Sequence, residues 1–174
     1  MMADFIKFIL SNSTLTFLAI GGVFSLFAIF LTPKPLYKQQ VVEALFSYFL
    51  LFSIGISFFY NFTMHVLLAE TAASFIGWQN SPFQYEVGFA SLGFAIVGIL
   101  AFKKDLSFRA AAVIGPSFFL WGAAGGHVYQ MVTANNFAPG NAGVILWTDI
   151  IIPIIGFVLL HQQYKLEKIG RFQG

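Results

Sequence analysis

Ionisable side chains inside an apolar helix are expensive unless they are protonated, paired or wet, so they mark where chemistry could happen. Asp149 is the deepest carboxylate of the chain, set in Leu-Trp-Thr-Asp-Ile-Ile-Ile-Pro. A helix starting near Asn141 puts it roughly 12 Å below that start. Pro153 lies four residues later and frees the Asp149 carbonyl from its helical hydrogen bond. His127 follows Gly122-Ala123-Ala124-Gly125-Gly126 and shares a helix face with Gln130. Glu86 sits about one turn inside a helix that begins near Pro82, roughly 6 Å deep, and His127 lies roughly 9 Å from an end near Thr133. Glu86, His127 and Asp149 therefore fall at a common level. His65 belongs to the rim of the same half of the chain.

Two carboxylates and an imidazole suit zinc, iron or manganese better than soft copper(I). They also suit a proton relay. Glu86, His127 and Asp149 are the metal candidates, with His65 assisting, and Glu86, His127, Gln130 and Asp149 are the candidates for holding a proton or a small ligand. Each has a plainer alternative. A carboxylate near a helix N-terminus gains from the helix dipole, and a histidine can simply bridge two helices. No HExxH, His-rich box or nucleophile elbow is present, so catalysis has no motif behind it.

These residues need helices in lipid to position them. Only 9% of the 174 residues are charged and 58% are hydrophobic, against about 25% charged in a soluble domain. Apolar runs of about 20 residues, enough to cross the hydrocarbon as helices, occur about five times, over 15–31, 41–68, 82–102, 109–132 and 142–160, followed by a polar tail over 161–174. None alternates in polarity as a barrel strand would. The fold class is all-α, a single integral membrane helical bundle. The first run lacks a cleavage site and is expected to be kept. Met1 to Asn12 is mildly amphipathic and suits the membrane surface.

Basic residues orient the bundle. Lys34, Lys38, Lys103, Lys104, Arg109, Lys165, Lys168 and Arg171 all fall on one side if there are five crossings, and Lys7 on the other. That puts the N-terminus outside and the C-terminus in the cytoplasm. Glu43 is expected to reach the inner interface. The net charge of +2 gives no reason to expect a nucleic-acid partner, and the absence of cysteine excludes disulfides and thiolate ligands.

Two connections carry no basic residue, 70–84 and 133–143, and both are rich in turn formers and amides, suited to capping a pocket. Ser81, Pro82 and Gln84 have the pattern of an N-cap, first helical position and capping box. Gly122 and Gly126 form a GxxxG pair that allows close approach of another helix, including one from a second copy in a homo-oligomer.

The stretches Gln79-Asn80-Ser81-Pro82-Phe83-Gln84-Tyr85-Glu86-Val87-Gly88, Gly126-His127-Val128-Tyr129-Gln130 and Asn136-Phe137-Ala138-Pro139-Gly140-Asn141 resemble those of a small, uncharacterised family of bacterial membrane proteins. The resemblance implies a multi-pass protein of the bacterial inner membrane and carries no activity with it. The functional expectation is a polar, metal- or proton-binding pocket in the outer half of the bundle. The alternatives are a small transporter or channel subunit, and a non-catalytic subunit that binds lipid or quinone, to which the 23 phenylalanines would offer smooth surfaces.

Overall fold

The computed structural model describes residues 8–9 and 11–171. Most of the amphipathic segment expected before the first membrane helix, and the last three residues of the tail, lie outside the described residues. Five helices are long and apolar enough to cross a membrane, and no strand occurs among the described residues. In chain order α1 is Ser13–Leu31 and α2 is Lys38–Leu67. Next come the short α3, Ala69–Ile76, and α4, Phe83–Ala101. The chain ends with α5, Leu106–Ala134, the single turn α6, Pro139–Ala142, and α7, Val144–Arg171. The polar tail is thus a continuation of α7 rather than a separate segment.

Small residues decide where the helices cross. α1 meets α2 at Gly21, where a Cβ would lie 3.1 Å from the Tyr48 carbonyl oxygen. Beside it Ser25 donates from Oγ to the Gly21 carbonyl, turning its hydroxyl back into its own helix. The buried face of α4 is Gln84, Gly88, Ser91, Ala95, Gly98 and Ala101. These recur every three or four residues, so they form one stripe, and α2 packs along it. The closest approach is at Gly98, where a Cβ would come within 2.6 Å of the Gly55 backbone nitrogen. At this crossing α2 changes to π-helical geometry over Leu50–Ile56. Its wider turn replaces i→i+4 with i→i+5 bonds. Apart from Gly55, nothing in the sequence marks that change.

The core is built from Phe46, Phe49, Leu50, Ile54, Phe58, Val113, Leu120 and Ile152. Phe58, Phe94 and Phe119 form a triad of edge-to-face rings with centroids 5.3, 5.5 and 5.7 Å apart. Such packing adds about 0.5–1.5 kcal/mol per pair beyond area burial. The triad ties α2, α4 and α5 together at mid-height. Ser53 sits in this layer with its Oγ buried and unpartnered among the described residues.

At one end of the bundle, here the arginine end, Arg109 turns inward. Its side chain is 1% exposed. Nη1 donates to Glu43 Oε2 at 2.7 Å and Gln163 Oε1 at 2.9 Å. Nη2 donates to Glu43 Oε1 at 2.6 Å, Ser47 Oγ at 2.8 Å and the Phe102 carbonyl at 2.8 Å. Nε donates to the Ala101 carbonyl at 3.1 Å. The Phe46 ring lies 5.4 Å from the guanidinium. This is a two-pronged arginine–carboxylate pair, the geometry that gains most from charge-assisted hydrogen bonds. It donates to two carbonyls at the end of α4, Ala101 and Phe102, and joins α2, α4, α5 and α7. Glu43 accordingly does more than reach the interface: it is half-exposed and holds the arginine.

Candidate functional site

The opposite, histidine end is organised by the two connections without basic residues. The 77–82 connection begins at Gly77, whose φ of 75° is left-handed and ends α3. A Cβ there would strike Asn136 Oδ1 at 2.7 Å. Asn136 donates from Nδ2 to the carbonyls of Ile76 and Gly77 at 3.0 and 3.2 Å, and its Oδ1 accepts from the Ala138 N–H. Asn135, also left-handed at φ 49°, ends α5. Gly140 sits so close to Phe75 that a Cβ would lie 2.7 Å from the Phe75 carbonyl oxygen. Glycine at 77 and 140 and amide at 136 are therefore what allow the two connections to interlock into a cap.

Asn141 is the centre of that cap and is fully buried. Its Nδ2 donates to the His127 and Asn136 carbonyls at 3.1 and 2.9 Å. Its Oδ1 is consequently the acceptor. It takes the Trp78 indole N–H at 3.0 Å and faces His127 Nδ1 at 2.8 Å. An amide oxygen can only accept, so Nδ1 carries a proton. The Trp78 ring also packs against the imidazole, centroid to centroid 5.6 Å.

With Nδ1 committed, His127 presents Nε2 to Asp149, whose Oδ2 lies 3.7 Å away. Both side chains are almost wholly buried. Among the described residues the Asp149 carboxylate has no other close polar partner.

His127 and Asp149 line a cavity of about 810 Å³ between α2, α3, α4, α5 and α7. Its wall is mostly apolar. The polar exceptions include Asn61 and His65 from α2, Gln79 and Gln84 near the cap, and Thr14 from α1. Phe58, Phe119 and Leu120 form its floor, and the apolar core lies beyond. The dimensions suit a ligand site, which is characteristically an apolar cavity of about 300–1,000 Å³ with a few placed polar groups.

Of the residues singled out from sequence, His127, Asp149 and His65 line the cavity. Glu86 does not join them: it is exposed, on the side of α4 away from the buried stripe. Gln130 is half-buried and outside the cavity lining. His65 pairs through Nδ1 with Gln84 Oε1. This corrects the capping box expected of Gln84, since α4 begins with no side-chain cap. Among the described residues no group of three His, Asp or Glu could hold a metal ion. A Cβ added at Gly122 would meet nothing within 4 Å and one at Gly126 only Trp78, so the GxxxG pair makes no helix crossing among the described residues. Asn61 donates to Ser91 Oγ at 3.0 Å.

Asn141 and Trp78, which set the histidine tautomer, were not singled out beforehand. The usable signal was the cluster of amides at 135, 136 and 141 beside a histidine-bearing helix.

A family model described as a family of unknown function, DUF6790, matches residues 11–169, so the chain belongs to that family. No curated protein and no solved structure matches it.

Proposed function

We propose that this DUF6790 member is a ligand-binding protein of the bacterial inner membrane whose His127–Asp149 pair holds an exchangeable proton at the polar end of the cavity. The observation that carries the reading is the buried 3.7 Å pair in the wall of an otherwise apolar cavity. Asn141 keeps Nε2 aimed at the carboxylate, so a proton on either group can be offered to a ligand or withdrawn from it. The basic residues Lys34, Lys38, Lys103, Lys104, Lys165 and Lys168 flank the arginine end of the helices, which favours that end as cytoplasmic and the cavity as outward-facing. The apolar floor of Phe58, Phe119 and Leu120 and the saturated Arg109 cluster favour binding over a continuous ion path. A divalent metal is the weaker reading, because the ligand set stops at one histidine and one carboxylate.

Infrared difference spectroscopy of the protein in lipid, titrated in pH, tests the reading. The expected result is a protonated-carboxylic-acid band that shifts in heavy water, is lost in Asp149→Asn and moves in His127→Gln. A spectrum with no band traceable to Asp149 at any pH, in protein that remains folded, would defeat it.

A further inference from the structure

α4 and α5 touch at mid-height, where Phe94 of α4 packs on Phe119 and lies 3.4 Å from where a Gly115 Cβ would be. Toward the histidine end they part. Gly122 is exposed, a Cβ added there would meet nothing within 4 Å, and yet it lines the cavity. Phe118 on α5 and Phe83 on α4 line it too while remaining 66% and 68% exposed. A residue that both lines a cavity and faces outward marks its mouth. Phe118 and Gly122 are midway along α5, so in a bilayer this mouth opens onto hydrocarbon rather than water.

Building on the ligand-binding reading above, we infer that the cavity takes an uncharged amphiphile from the lipid phase through a lateral portal between α4 and α5, framed by Phe83, Val87, Phe118 and Gly122, with the ligand's polar head against His127 and Asp149. The class follows from the walls. No Lys or Arg lines the cavity among the described residues, so an anionic head would be buried without a counter-charge at high cost. The His127–Asp149 pair is neutral as a unit when it holds its proton, so a cationic head has no net partner either. A carbonyl or hydroxyl head can accept or donate one hydrogen bond there, while its apolar tail lies along Phe118 and out through the gap. A quinone head or an isoprenoid alcohol has this chemistry.

The test uses Trp78 as reporter, because it lines the cavity and the chain has only three tryptophans. In full-length protein carrying Trp121→Phe and Trp147→Phe, a short-tailed ubiquinone analogue is titrated and Trp78 fluorescence followed. The expected result is saturable quenching. Decanoate and decylamine do not reverse it, and Gly122→Phe weakens it about tenfold or more. Val87→Trp, read by radiolabelled analogue instead, narrows the same gap from α4 and gives the same loss if Gly122→Phe does not fold. Quenching that only tracks partitioning into detergent, equal quenching in the portal variants, or displacement by either charged amphiphile would overturn the inference. So would a Gly122→Phe variant that turns a dimer into monomers, since a second copy would then cover the gap. The Asp149 infrared band separates the two levels. Its presence with failed quenching rejects the portal alone, and its absence rejects the site itself.

Discussion

The two ends of this bundle handle buried charge in opposite ways. At the arginine end, Arg109 is wrapped by acceptors from three other helices and paired two-pronged with Glu43. At the histidine end, Asp149 is as deeply buried but has one partner at 3.7 Å and a cavity in front of it. A saturated ion pair fixes helices and leaves no donor free for a ligand. A carboxylate with one distant partner stabilises little, and it retains capacity to bind something else. The difference separates a structural cluster from a candidate site more clearly than burial does, since burial is nearly the same at both.

The largest test of that contrast removes the saturated side. Arg109→Met leaves Glu43 with only the Ser47 hydroxyl and removes the side-chain donor from the Phe102 carbonyl. Breaking a buried pair on one side costs about 3–5 kcal/mol, and the half-exposure of Glu43 puts the expected loss toward the lower figure. Thermal unfolding in detergent should show a large drop in melting temperature, with Trp78 quenching intact in whatever fraction folds. A variant as stable as the parent would mean that the arginine cluster does not hold the helices together.

A smaller effect separates the two sets of glycines. Gly98→Ala puts a Cβ 2.6 Å from the Gly55 backbone nitrogen, and backbone cannot move aside as a side chain can. Overpacking of this kind costs about 1–3 kcal/mol. Gly122→Ala enters open space and gains up to about 1 kcal/mol of helix propensity. Matching unfolding curves for the two alanines would erase the distinction between a crossing and a portal.

Much of the fold was legible because lipid demands long apolar runs, and five such runs survive any small error at their ends. The site was legible only in height. Rise per residue gives the depth of Glu86, His127 and Asp149, but one residue more or less turns a side chain about 100° around its helix. Glu86, expected at that level, therefore faces away. The same limit governed the glycines. Spacing identified Gly122 and Gly126 as a pair, while the stripe Gly88, Ser91, Ala95 and Gly98 is the one that meets α2. Arg109 counted correctly toward one end of the bundle, but a charge tally cannot tell a loop lysine from an arginine that Glu43 draws inward across 66 residues of sequence. Asn141 looked like a turn residue because its role depends on α5 arriving beside it.

The smallest expected effect is the most discriminating. Asp149→Asn keeps the side chain's shape and removes the charge. If Asp149 contributed to stability as Glu43 does, the substitution would cost several kcal/mol, because His127 would lose an ion-pair partner. Its nearest polar partner among the described residues is at 3.7 Å, too long for a hydrogen bond. With no hydrogen bond between Asp149 and His127 to lose, Asn of the same shape leaves no newly unpaired group behind. The expected change in unfolding free energy is therefore within about 1 kcal/mol of the parent, while the infrared band and quinone quenching are lost. A site kept for ligand binding at no gain in stability behaves in this way. A loss comparable to that of Arg109→Met would instead make His127–Asp149 a second structural clamp, and the two ends would no longer differ.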